Sequence, residues 1–150
     1  MTARQLATAF LVFACIVGPG CDKAPPPKGV SGGAGSAADS LFAGLSFEEA
    51  KAKAAKDGKL VMIDFYADWC GPCRMLDDTT WKDAKVREWL GAKTVCLKMN
   101  VDEQQALAKQ FNVSSIPALV FVDGAGKEVK RLVGYRDAAA FLNETQSLAK

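Results

Sequence analysis

The sequence predicts an α/β domain with a central mixed sheet of four to five strands and helices on both faces. Three observations lead there. From residue 45 onward, segments rich in β-forming residues alternate with segments of helical character, which implies a parallel sheet covered on both sides. The run Leu60-Val61-Met62-Ile63-Asp64-Phe65-Tyr66 is almost continuously apolar, as a strand buried on both faces requires. Finally, Asp123-Gly124-Ala125-Gly126 joins the last two strand segments as a hairpin, adding one antiparallel strand.

Each element has its own warrant. Ser46-Phe47-Glu48-Glu49 has the form of a capping box with Leu45 as a staple; its helix runs to about Lys56 and stops at Asp57-Gly58. After the first strand, a helix begins at Gly71 and carries Met75 and Leu76 inward. Asp83 caps a second helical stretch through Leu90, with Val86, Trp89 and Leu90 on one face. Thr94–Met99 is the second strand. Asp102-Glu103-Gln104-Gln105 reads as a cap opening a helix through Phe111, with Asp102 as its first residue, and Ala118–Val122 is the third strand. The return strand covers Glu128–Val133, and a last helix from Asp137 packs Ala138, Phe141, Leu142, Thr145 and Leu148.

Chemistry concentrates in Trp69-Cys70-Gly71-Pro72-Cys73, directly after the buried strand. Unpaired backbone N–H groups and the helix dipole at a helix start favour a thiolate at Cys70, and a lower thiol pKa gives more nucleophile at neutral pH. Pro72 suits a first turn, and Gly71 leaves the backbone beside the sulfurs unobstructed. A zinc half-site is the first alternative, but the chain has no histidine, and its other cysteines are Cys15, Cys21 and Cys96. Four ligands are needed. A purely structural short-loop disulfide is the second alternative, and dithiol–disulfide exchange is the reading the spacing favours.

Several elements in order resemble the thioredoxin superfamily: Asp64-Phe65-Tyr66-Ala67-Asp68-Trp69-Cys70-Gly71-Pro72-Cys73, the Ile116-Pro117 step before the third strand, and Gly134 after the last strand. The resemblance covers nearly all of Leu45–Lys150 and implies a thioredoxin-like fold. Tyr66-Ala67-Asp68-Trp69-Cys70 and Thr79-Thr80-Trp81-Lys82-Asp83-Ala84-Lys85-Val86 look more like one branch. That branch comprises the C-terminal periplasmic domain of the transmembrane thiol:disulfide interchange protein and its stand-alone relatives. Gly71-Pro72 is the pair found in thioredoxin itself.

On this resemblance Cys70 is the attacking thiol and Cys73 resolves the mixed disulfide from a deeper position. Asp64 is a carboxylate in an apolar strand, costly without a purpose or partner. The resemblance makes it a proton relay for the resolving thiol, while a carboxylate satisfied by Lys98 is the alternative. Pro117 is expected to be cis and to face the cysteines, freeing the backbone of Ile116 for an extended client. Trp69 shields the sulfurs or joins the core, and Ile116, Pro117, Trp69, Gly71 and Pro72 form the client-binding surface. Asp68 is exposed, either tuning the field at Cys70 or simply solvated. Cys96 is a packing residue. No metal is expected, and the redox-active disulfide Cys70–Cys73 takes the place of a cofactor.

The leader reads as a secretory signal peptide: Arg4, then an apolar stretch from Leu6 to Val17. It is shorter than the about 20 residues of a membrane span. Gly18-Pro19-Gly20-Cys21 resembles the lipobox of bacterial lipoproteins, although Gly18 stands where Leu is usual, and Cys15 is a second candidate. Lipidated Cys21 is the favoured reading, ordinary cleavage the next and an uncleaved anchor the last; each places the domain outside the cytoplasm. Residues 22–44, with Pro25-Pro26-Pro27 and many Gly and Ser, read as a flexible tether spanning roughly 25–30 Å r.m.s..

The 150 residues carry a net charge of +2 with both signs interspersed, which argues against a nucleic-acid partner. The expected activity is that of an extracytoplasmic, periplasmic protein-disulfide reductase, tethered to the membrane by lipid and monomeric. Its clients are disulfide-containing proteins, including those of cytochrome c maturation. Since the sequence holds no NADPH or flavin motif, a transmembrane thiol donor must supply electrons. A thiol oxidase or isomerase is the nearest rival; a Cu(I)-binding module using both cysteines, or a client-binding domain with structural cysteines, belongs to another class.

Overall fold

A computed structural model describes residues 41–149. The leader over 1–21, with Cys15 and Cys21, and the tether as far as residue 40 lie outside the described residues. Helix α1 spans Phe47–Asp57 and starts on the expected capping box: Glu49 N–H donates to Ser46 Oγ at 3.3 Å, and Ser46 N–H donates to Glu49 Oε2 at 2.9 Å. It ends at Gly58, whose φ of 64° is left-handed. Then follow β1 (Leu60–Tyr66), α2 (Gly71–Asp78), a 3₁₀ turn (Thr80–Lys82), α3 (Ala84–Lys93) and β2 (Thr94–Asn100). The chain continues through α4 (Gln105–Gln110), β3 (Ala118–Val122), β4 (Glu128–Val133) and α5 (Ala138–Thr145).

The sheet has four strands in the order β2-β1-β3-β4. Side chains alternate across β1. Val61, Ile63 and Phe65 meet Phe47, Ala50 and Ala54 of α1 and Phe111 on one face. Met62 meets Leu76 of α2, Trp81, Val86 and Leu90 of α3, and Phe141 of α5 on the other. Asp64 shares its parity with Met62 and Tyr66, so it belongs to the α2 face.

Four expectations need correction. The strand that runs against the others is β3, antiparallel to both β1 and β4, whereas the closing strand β4 was the one expected to do so. The reason is length: α4 has six residues, about 9 Å of helix, too little to return the chain along a strand of about 23 Å. The chain therefore re-enters the sheet at the end where β1 and β2 finish.

Met75 is 50% exposed, because the phase of α2 is set by buried Cys73 and Leu76 and Met75 falls between them. Asp102 does not cap α4. The cap position is Gln104, without a side-chain bond, and Asp102 has another partner described below. Finally, Leu41–Ala43, placed in the tether by composition, pack on the fold: Phe42 bridges Cys96 of β2, Ala43 N–H donates to Cys96 O at 2.8 Å, and Leu41 and Phe42 join the α2-side core.

Candidate active site

The site forms where β1 ends and α2 begins. The connecting loop is fastened at both sides: Cys70 N–H donates to Ala67 O at 3.0 Å, and Val101 N–H donates to Tyr66 O at 2.9 Å. Cys70 occupies the cap position of α2, and its Sγ accepts the Cys73 backbone N–H at 3.2 Å. Pro72 lies in the first turn, where its missing N–H leaves nothing unpaired. Cys70 and Cys73 are joined by a disulfide with Cα atoms 5.3 Å apart. Gly71 has open space where a Cβ would stand, and Pro72 is exposed, so this rim of the site is unobstructed.

Both cysteines are covered almost equally, 3% and 2% exposed; Cys73 is not the markedly deeper one. Ala67 clusters with them, and Tyr66, Val101 and Ile116 pack around the group. Trp69 does not enter the core. It is 68% exposed, and its indole N–H donates to Asp102 Oδ2 at 3.0 Å. A carboxylate offers that polar edge a partner that an apolar sulfur surface lacks, and the same bond explains why Asp102 is not free to cap α4. Asp68 is exposed as expected, and its carbonyl accepts Arg74 Nη1 at 2.9 Å.

The Ile116–Pro117 peptide bond is cis. Both ladders of β3 begin at Ala118, so Ile116 stands outside them. Pro117 O accepts Gly134 N–H at 2.8 Å, and Gly134 has a φ of 88° that favours glycine. Ile116 packs against the cysteine cluster and, with Trp69, Val101 and Ser114, lines an open groove of about 340 Å³. The structure thus brings Cys70, Cys73, Ile116 and Trp69 to one end of the sheet.

Asp64 is buried beneath this end. Its Oδ2 accepts the indole N–H of Trp81 at 3.1 Å, while Oδ1 has no hydrogen-bond partner among the described residues. Lys98 faces Asp64 across the β1–β2 register, yet its ammonium pairs with Asp77 Oδ1. It lies 4.8 Å above the Tyr66 ring and 5.5 Å above the Phe42 ring. Lys98 therefore does not bond the carboxylate. Burial pushes the Asp64 carboxyl up to about 7; the Lys98 charge opposes the rise, Asp77 adds to it and the Trp81 hydrogen bond opposes it.

Trp81 is the site residue that sequence reasoning missed. The demand was legible, since a buried carboxylate needs a donor. The supplier was not, because nothing in local spacing links position 81 to position 64. Cys96 is free and buried in β2, with Thr94 Oγ1 3.1 Å from its sulfur, and burial pushes its thiol up to about 11.

A cysteine pair at the start of a helix that leaves a buried strand, in a sheet of this order, defines a thiol:disulfide oxidoreductase. The family profile described as Thioredoxin-like domain matches residues 47–149, and the chain belongs to that family. It is 40% identical over 100 residues to the thiol:disulfide interchange protein DsbD of Yersinia pestis (strain Pestoides F), covering 63% of this chain and 17% of that protein. Similarity to DsbD of Salmonella paratyphi A (strain ATCC 9150 / SARB42) is 40% over 97 residues, covering 61% and 17%. The chain therefore spans about one sixth of the length of these curated relatives. The solution structure of a thioredoxin from Thermus thermophilus superposes with a TM-score of 0.62 at 34% identity, covering 69% of this chain and 83% of that one. A DsbH oxidoreductase shares the fold, with a TM-score of 0.64 at 22% identity over 71% of this chain and 83% of that one.

Proposed function

We propose that this protein is an extracytoplasmic, membrane-tethered reductase of client protein disulfides. The observation that carries the reading is the Cys70–Cys73 disulfide at the head of α2, packed against the cis Ile116–Pro117 loop. In the dithiol form, the Cys70 thiolate attacks one client sulfur, the client S–S bond breaks, and the other client sulfur leaves as a thiolate and takes up a proton. Asp64 accepts the proton of Cys73. The Cys73 thiolate attacks Cys70 Sγ, the mixed disulfide breaks, and the second client sulfur leaves as a thiolate and takes up a proton. Two electrons pass from the pair to the client.

Ile116 lies outside the sheet ladders beside the sulfurs, so an extended client segment can pair with its backbone there. Trp69 lines the same groove. The signal-peptide reading of the leader and Cys21 at its end support a site of action across the cytoplasmic membrane, with a transmembrane thiol carrier as donor, and the printed name of the relatives, thiol:disulfide interchange protein, supports the exchange chemistry. Among the described residues no helix is long and apolar enough to cross a membrane.

Two experiments test the reading. With Cys73→Ser expressed in its own cell envelope, clients are expected to accumulate as mixed disulfides on Cys70; an absence of such adducts, with Cys70 intact, contradicts it. Equilibration in glutathione buffers is expected to give a potential near the thioredoxin value of about −270 mV. A value more positive than about −180 mV assigns the protein to thiol oxidation or isomerisation instead.

A further inference from the structure

The proton step leaves one question: which atom of the Asp64 carboxyl carries the proton, and what decides it. Trp81 lies on the 3₁₀ turn after α2 and is fully buried. Its ring meets Phe42 edge-on at 6.0 Å and Phe141 edge-on at 5.4 Å. Phe42 comes from the segment that bridges β2, and Phe141 from α5, so two elements distant in sequence fix the indole plane. The N–H of that clamped ring points at Asp64 Oδ2, 3.1 Å away. Oδ1 is the one buried side-chain polar atom among the described residues with no hydrogen-bond partner.

We infer that Trp81 is a positioning residue for the proton step: its indole N–H occupies Oδ2 of Asp64 and so makes Oδ1 the atom that takes and gives the proton. An indole nitrogen is a donor only, and a proton on Oδ2 would make that oxygen a weaker acceptor of the N–H, so protonation at Oδ2 is disfavoured. The proton exchanged with Cys73 moves on and off Oδ1 as O–H forms and breaks, with the carboxylate charge appearing and vanishing in the same step. Unlike a lysine or a water, Trp81 cannot accept that proton or carry it away.

The other groups facing Asp64 do not replace this contact. Lys98, from β2, is held by Asp77 of α2. Both act on Asp64 only through their charges. From β1 itself, Tyr66 shares the face, and its hydroxyl pKa is raised, chiefly by burial. Cys96, on β2, remains a neutral thiol at neutral pH because burial raises its pKa. Cys70 and Cys73 of α2 are the redox pair.

This inference rests on the proton-relay reading of Asp64 and is tested independently of turnover. In protein labelled with ¹³C at aspartate and ¹⁵N at tryptophan, the Asp64 carboxyl and the Trp81 indole N–H are followed by NMR between pH 4 and 10. The two signals are expected to titrate together, and the indole response to vanish in Asp64→Asn. Trp81→Phe removes a hydrogen bond to the charged form, so the Asp64 midpoint should rise by roughly one pH unit. The pH midpoint of mixed-disulfide resolution should rise with it. If the variant melts earlier but the Asp64 midpoint stays put, Trp81 is only a packing residue and the inference fails. Should Trp81→Phe not fold, the unmodified protein decides, since an indole signal indifferent to the Asp64 titration also overturns it. Failure of the wild type to reduce disulfides would remove the reductase reading while leaving this titration as it is.

Discussion

Cys96 and Cys73 are almost equally hidden, 4% and 2% exposed, yet one is a free thiol and the other half of a disulfide. Cys96 sits inside β2, bridged at its backbone by Phe42 and Ala43. Among the described residues no second sulfur is bonded to it, and burial pushes its thiol up to about 11. Cys70 and Cys73 lie at the head of α2, where a backbone N–H points at sulfur and the helix start favours negative charge. The difference teaches that backbone placement, rather than depth, separates a reactive cysteine from a packing one in this domain.

The strongest way to break that comparison is to exchange the roles by mutation. Cys70→Ser is expected to reduce insulin-disulfide turnover on the order of 10³-fold or more, and Cys96→Ala to leave it within about twofold. Loss of activity in the second variant would show that the strand cysteine takes part. A smaller effect sharpens the account of the buried carboxylate on β1. Asp64 in the folded protein titrates at about 7, above the unfolded value of about 3.9. The folded state therefore binds this proton more tightly. Its contribution is complete below about pH 4 and is lost as pH rises through 7, on the order of 4 kcal/mol at most. Urea unfolding of the oxidised protein should show stability falling between pH 4 and 8, and Asp64→Asn should remove most of that slope. A slope unchanged in the variant would place the titration elsewhere.

The smallest expected effect lies on the far face of the sheet. Ser46→Ala removes the capping box of α1 and should cost about 1 kcal/mol in thermal unfolding, with turnover unaltered because α1 packs on the face away from α2. A change in turnover larger than the change in folded fraction would mean that the two faces are coupled.

Much of this arrangement was readable from residue order. The apolar run of β1, the Ser46 box, the Asp83 cap, the helix start near Asp137 and the Gly-rich hairpin are local signals, and each produced its element. Asp64 announced itself because a carboxylate in such a run demands an explanation. What stayed hidden was non-local. The direction of β3 depends on how far α4 carries the chain, and the fate of Asp102 depends on an indole 33 residues away. The Trp81–Asp64 bond spans 17 residues between a turn and a strand. Phe42 was masked by the Pro- and Gly-rich composition that precedes it, although its ring is one of the two that clamp Trp81.

The central claim, that helix-head placement makes Cys70 reactive, is tested most directly by alkylation of the fully reduced protein as a function of pH. At pH 7 a thiol with the Cys96 value is ionised in only about one molecule in ten thousand. Iodoacetamide is therefore expected to modify Cys70 at least about 300-fold faster than Cys96, with a midpoint below the free-thiol value of about 8.5. Equal rates at the two positions, or a Cys70 midpoint at or above that of a free thiol, would contradict the account.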